Sequence, residues 1–167
     1  MTSYAKNLGM NNTSFKNASG LPNRAQLTTA RDIAKLSHAL ILNFPEEYKL
    51  FSKTNFTYKG KTYKTHNKLM LSYDGADGIK TGYLAVEKYS LASSMIRNER
   101  RLIAIGSGFQ TKKSRSVQSR KLLTYGYSNF DTIKIAEKDK VFSEVDVWQG
   151  KLNKAEVYTK QDIYKTI

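Results

Sequence analysis

The sequence predicts an α+β fold: helices first, then a run of antiparallel strands, then one more helix and a short β-rich stretch. Three features carry that reading. An apolar stripe at helical spacing follows a capping signal near residue 29. The hydrophobic period then shortens to that of strands, in runs divided by polar turns. Helical spacing returns only after residue 111, so strands and helices do not alternate as in a parallel α/β sheet.

Taken in order, residues 2–8 read as the end of a helix stopped by Gly9, and residues 10–27 as a loop rich in Asn, Ser and Gly, with Pro22. Thr29 and Asp32 then fit a capping box, in which the hydroxyl serves the Asp32 amide and the carboxylate reaches back. Ile33, Leu36, Leu40, Ile41 and Phe44 form the stripe of that helix, and Pro45 ends it and opens a short second helix through Phe51. Phe56–Tyr58 and Thr62–Lys64 flank Lys59-Gly60-Lys61 as a hairpin. The turn Asp74–Gly78 leads into a strand at Ile79–Tyr83. Ser90–Ile96 and Arg101–Phe109 are two more strands, split by Arg97-Asn98-Glu99-Arg100, and residues 112–129 read as a helix. Beyond Phe130, Val141-Phe142 and Val145–Trp148 are short β-prone pieces, so a first domain over 1–130 and the start of a second over 131–167 are expected. Trp148 reads as a small-core anchor of that second segment, His38 as a structural residue of its helix, and His66 as solvated.

Composition narrows the chemistry. The 167 residues contain no cysteine and two histidines, which excludes disulfide scaffolds, thiol nucleophiles and iron–sulfur clusters and disfavours a metal centre; no metal or cofactor is expected. No apolar run approaches the roughly 20 residues of a membrane span, and Met1–Lys6 has no apolar signal core, so neither export signal nor anchor is expected in these residues. Lys plus Arg total 28 against 14 Asp plus Glu, a net charge of +14. Residues 53–68 hold five lysines and no acid; residues 97–121 hold eight basic residues against Glu99 alone; residues 122–167 are neutral, with seven of each sign. A basic main unit suits an anionic substrate, an acidic membrane surface or nucleic acid, and is equally compatible with a plain solvated face.

One tripeptide carries a chemical meaning. Lys80-Thr81-Gly82 lies on a strand after a glycine turn, and K-T-G is one of three signatures shared by penicillin-binding proteins and β-lactamases. Around it, in order, stand Asn17-Ala18-Ser19-Gly20-Leu21, Thr28-Thr29-Ala30-Arg31-Asp32, Asp77–Tyr83, Arg101-Leu102-Ile103-Ala104 and a helix with Arg115 and Ser119. Over residues 1–130 this ensemble resembles the low-molecular-mass penicillin-binding proteins, the serine-type D-alanyl-D-alanine carboxypeptidases; residues 131–167 resemble the start of that family's small β-rich C-terminal domain. The resemblance implies a transpeptidase-like domain, here incomplete, and hydrolysis of peptidoglycan stem peptides through a seryl acyl-enzyme. It implies that the K-T-G strand receives the peptide by strand addition, with Lys80 supplying positive potential, the Thr81 hydroxyl holding the substrate carboxylate, the Tyr83 N–H serving as an oxyanion donor and Arg115 assisting with the carboxylate. It also implies binding of β-lactams and action in the periplasm or on the outer face of the cytoplasmic membrane.

The other two signatures are not matched in the same way. No S-x-N triplet occurs among these residues, and the single S-x-x-K is Ser3-Tyr4-Ala5-Lys6. Ser3 reads as a decoy, because Lys6–Thr13 resembles the stretch that the family places after its S-x-N, and the distance to Lys80 is too short for the intervening helical lobe. The chain is therefore expected to be the C-terminal part of the enzyme, inactive unless an N-terminal part is supplied. The family follows K-T-G with an aromatic or His and then Thr, and later keeps an Ala-Gly pair; here stand Tyr83-Leu84 and Glu87-Lys88. Alternatives are a non-catalytic remnant that binds peptidoglycan or a protein partner and, from another class, a basic nucleic-acid-binding module. The last is disfavoured because no recognised nucleic-acid motif is present.

Overall fold

The computed structural model describes Met1–Ile167, which divides into two compact units, Met1–Gly126 and Tyr127–Ile167. Unit 1 opens with α1 (Thr2–Asn7), ended at Gly9, whose φ of +76° is in the left-handed region where glycine stops helices. The loop that follows pairs with itself at Ser14 and Leu27. Helix α2 (Ala30–Asn43) starts where expected, with the Thr29 hydroxyl accepting from the Asp32 N–H at 3.2 Å. The capping box is only half formed. The Asp32 carboxylate does not reach back; it accepts from the Asn12 N–H at 2.9 Å and the Thr13 hydroxyl at 2.7 Å. The helix start thereby pins a loop about twenty residues earlier in the chain, and the Thr13 hydrogen bond holds the Asp32 carboxyl below its usual value. His38, on the same helix, is exposed and takes no part in the core.

After α3 (Pro45–Tyr48) come the ribbon β1 (Asn55–Tyr58) and β2 (Lys61–Lys64) and a single 3-10 turn at Lys68–Leu71. A three-stranded antiparallel sheet follows, built from β3 (Ala76–Leu84), β4 (Lys88–Arg97) and β5 (Arg100–Phe109) in the order β3-β4-β5. Helix α2 packs against β5 and β4. The core of the unit includes the fully buried Met10, Leu69, Leu91, Met95 and Leu123. Helix α4 (Lys112–Asn129) is opened by a reciprocal cap, the Thr111 hydroxyl accepting from the Ser114 N–H and the Ser114 hydroxyl from the Thr111 N–H. Arg115, Ser119 and Leu123, each four apart, form its buried stripe.

A polar cluster fixes the entrance to β3. Asp77 receives Arg101 Nη1 at 2.7 Å and the Tyr48 hydroxyl at 3.1 Å; the same Arg101 nitrogen donates to Ser94, and its guanidinium lies 5.3 Å from the centre of the Tyr48 ring. Burial pushes the Tyr48 phenol up to about 12. The phenol lies so close to Gly78 that a Cβ there would meet the Tyr48 oxygen at 2.5 Å.

Unit 2 holds two antiparallel pairs: β6 (Thr132–Ala136) with β9 (Ile163–Thr166), and β7 (Val141–Asp146) with β8 (Lys154–Tyr158). The two β-prone pieces expected near 141 and 145 thus merge into one strand, except that Val147 and Trp148 lie beyond it. Trp148 is 89% exposed and anchors no core, because it sits in the β7–β8 connection rather than on a covered sheet face. Asp162 ties the unit together: its carboxylate meets Lys134 Nζ at 2.8 Å and accepts the Lys138 N–H at 2.8 Å. Lys134, first, and then the Lys138 N–H bring its carboxyl down to about 2.

Candidate active-site strand

Strand β3 is an edge. It pairs only with β4, so one row of its main-chain N–H and C=O groups is open to an added strand. Lys80, Thr81, Gly82 and Tyr83 all lie on it, opposite Ala92, Leu91, Ser90 and Tyr89. The pleat sends Lys80 to one face and Thr81 and Tyr83 to the other. Lys80 is exposed, and its ammonium donates to the Thr81 carbonyl at 2.7 Å. A Cβ at Gly82 would meet Ser90 Oγ at 2.4 Å, so that hydroxyl would have to turn aside to admit one.

Arg115 reaches this strand through an aromatic relay. The Tyr83 and Tyr89 rings are 4.6 Å apart across the β3–β4 pair, and the Arg115 guanidinium lies 5.7 Å from the Tyr89 ring centre. Arg115 is 3% exposed and donates from Nη2 to the His66 carbonyl at 2.7 Å. Burial lowers its pKa somewhat, and the charge is retained. The guanidinium thus holds Tyr89 and the His66 carbonyl together beside the β3–β4 pair. Sequence reading missed Tyr89 and Asn67. The Asn67 side chain donates to the Gly78 carbonyl at 3.0 Å, which fastens the start of β3 to the end of the β1–β2 segment.

The β3–β4 turn shows what Lys88 costs. Its φ is +58°, a left-handed value that favours glycine, so the family's glycine at this place has a backbone reason. Ser3 lies exposed on α1, and the Lys6 ammonium donates to the Asn11 carbonyl. No group of three or more His, Asp or Glu is arranged to hold a metal ion.

The architecture is that of the penicillin-binding proteins. The chain superposes on penicillin-binding protein 5 from Haemophilus influenzae with a TM-score of 0.93 at 34% identity, covering 99% of this chain and 49% of that one. It superposes on penicillin-binding protein D2 from Listeria monocytogenes, in its ampicillin-bound form, with a TM-score of 0.71 at 33% identity, covering 75% and 53%. Residues 1–111 match the D-alanyl-D-alanine carboxypeptidase family profile, and residues 130–167 match the C-terminal domain of penicillin-binding protein 5. The chain belongs to the D-alanyl-D-alanine carboxypeptidase family. It is 36% identical to the D-alanyl-D-alanine carboxypeptidase DacA of Escherichia coli over the whole of this chain and 42% of that protein, and 33% identical to DacF of Bacillus subtilis over 98% and 43%. It therefore spans about two fifths of the length of these relatives.

Proposed function

We propose that this chain supplies the substrate-binding wall of a serine-type D-Ala-D-Ala carboxypeptidase that acts on peptidoglycan stem peptides. The observation that carries the reading is the open β3 edge with Lys80-Thr81-Gly82 on it. A stem peptide adds to β3, its terminal carboxylate taken by the Thr81 hydroxyl in the positive potential of Lys80. The Tyr83 N–H is one of the donors to the oxyanion of the tetrahedral intermediate. Arg115 is a positioning residue, acting on Tyr83 through Tyr89.

The nucleophile is inferred to lie outside these 167 residues, on the part of the fold that the longer relatives carry. Its serine oxygen attacks the penultimate D-Ala carbonyl, the peptide C–N bond breaks, and the terminal D-Ala leaves with the proton. Water then cleaves the acyl-enzyme and returns the serine. Residues 1–130 and 131–167 are assigned to the carboxypeptidase domain and the start of the β-rich domain. The partner implied is an N-terminal fragment that completes the cleft, and the site of action is the periplasm or the outer face of the cytoplasmic membrane. No helix is long and apolar enough to cross a membrane. A second reading, peptide binding without catalysis, is favoured by Leu84, which lacks the family's hydroxyl beside the carboxylate site.

The test is incubation of the folded chain with a β-lactam, read by intact mass, and titration with a D-Ala-D-Ala peptide, read by amide NMR. The expected result is no covalent adduct, with shifts at Lys80–Tyr83 that the Thr81→Val variant reduces about tenfold in affinity. An adduct mapped to Ser3 would overturn the placement of the nucleophile, and an unresponsive β3 would overturn the substrate strand.

A further inference from the structure

The β1–β2 ribbon stands out from every other pair of strands in unit 1. All eight of its strand residues are exposed. The register sets Phe56 opposite Tyr63 and Tyr58 opposite Lys61, so these four side chains share one face, while Thr57 and Thr62 bond to each other at 3.0 Å on the other. Phe56, Tyr58 and Tyr63 are 62%, 55% and 49% exposed. Phe56 and Tyr58 lie nearly parallel, 6.4 Å apart with 11° between their planes. Lys59 Nζ is 5.5 Å from the Tyr58 ring centre and Lys61 Nζ 5.3 Å from that of Tyr63. The turn is a tight one, with Lys59 and Gly60 both at positive φ, which suits the twist of a two-residue hairpin.

A two-stranded ribbon is marginally stable in water, and three largely exposed aromatic rings on it are a cost unless something covers them. Two features indicate what does. The first is charge: residues 53–68 carry five lysines and no acid, which suits an anionic occupant. The second is continuity with β3. The ribbon closes at its base through the Thr65 N–H on the Thr54 carbonyl at 2.8 Å, and the next two residues fasten it to the site, His66 through its carbonyl to Arg115 and Asn67 through its side chain to Gly78.

We propose that the β1–β2 face is a docking platform for the glycan strand that bears the stem peptide, with sugar C–H faces stacked on Phe56, Tyr58 and Tyr63 and free peptide carboxylates paired with Lys59 and Lys61. The choice of polymer rests on the function proposed above. A substrate held at both places is polymeric, so strand-bound peptides are preferred to free ones by effective concentration.

The experiment compares the chain with its Phe56→Ser/Tyr58→Ser/Tyr63→Ser variant in co-sedimentation with purified peptidoglycan sacculi, alongside NMR titration of both with a short D-Ala-D-Ala peptide. All three side chains are exposed, and circular dichroism checks that the variant folds. The expected result is an about tenfold loss of binding to sacculi with an unchanged response of β3 to the short peptide. Equal sedimentation of the two proteins would overturn the platform. Tighter binding of the parent chain to vesicles containing phosphatidylglycerol, or to single-stranded DNA, with loss of that binding in the variant, would reassign it to a membrane or a nucleic acid. Retained binding to sacculi with a β3 strand indifferent to the peptide would sink the proposed function and leave the platform standing.

Discussion

The two units are stabilised differently. Unit 1 buries Met10, Leu69, Leu91, Met95 and Leu123 and encloses polar groups as well, including Ser93, whose hydroxyl donates to the Ala104 carbonyl at 2.9 Å. Unit 2 buries one apolar side chain, Ala136, and exposes Ile133, Ile135, Val141, Phe142 and Val145 on its strands. Unit 1 also carries the whole excess of positive charge, since residues 127–167 have equal numbers of acidic and basic side chains. Burial is the main source of stability in the first unit; the second has ladder hydrogen bonds and little buried apolar surface, and its partly exposed Asp162–Lys134 pair adds little.

The sharpest way to break that comparison is a pair of truncations. Leu91→Ala, at a site 1% exposed on the central strand, is expected to destabilise unit 1 by about 2–5 kcal/mol in urea unfolding. Val145→Ala, at a site 49% exposed, is expected to move unfolding by less than about 0.5 kcal/mol. Equal losses would show that the unit 2 strands are covered in solution.

A smaller effect refines the picture of unit 1. Lys88→Gly, which relieves a left-handed φ of +58° at the β3–β4 turn, is expected to stabilise by up to about 1 kcal/mol in the same assay. A loss of stability would mean that the lysine side chain contributes more than its backbone costs.

The smallest effect belongs to unit 2. The Asp162 carboxyl sits at about 2 in the folded chain against an ordinary value near 4. Its pKa is depressed by folding, so its contribution is complete above about pH 4 and is lost as pH falls through about 2. The Lys138 amide resonance is expected to report that loss, and Asp162→Asn to abolish the pH dependence.

Much of the fold was legible because its signals are local. The Thr29 cap, the Lys59-Gly60 turn and the 112–129 helix are each specified by a few neighbouring residues, and all appear where expected. What could not be read joins residues far apart. Asp32 looked like a capping partner and instead holds Thr13; Tyr48, Asp77 and Arg101 meet only when α3, β3 and β5 pack. The Lys80–Tyr83 strand was found by its tripeptide, while Tyr89 carried no signal, since its role exists only through the β3–β4 register. Trp148 misled because a large aromatic suggests a core, and unit 2 has no layer to receive it.

That exposed indole has an optical consequence. Trp148 is the single tryptophan, and eight of the eleven tyrosines lie in unit 1. Tryptophan emission therefore observes unit 2 alone, and already from a solvent-like state, while the near-ultraviolet dichroism of the packed tyrosines observes unit 1. One sample reports on its two units in separate colours, without a label.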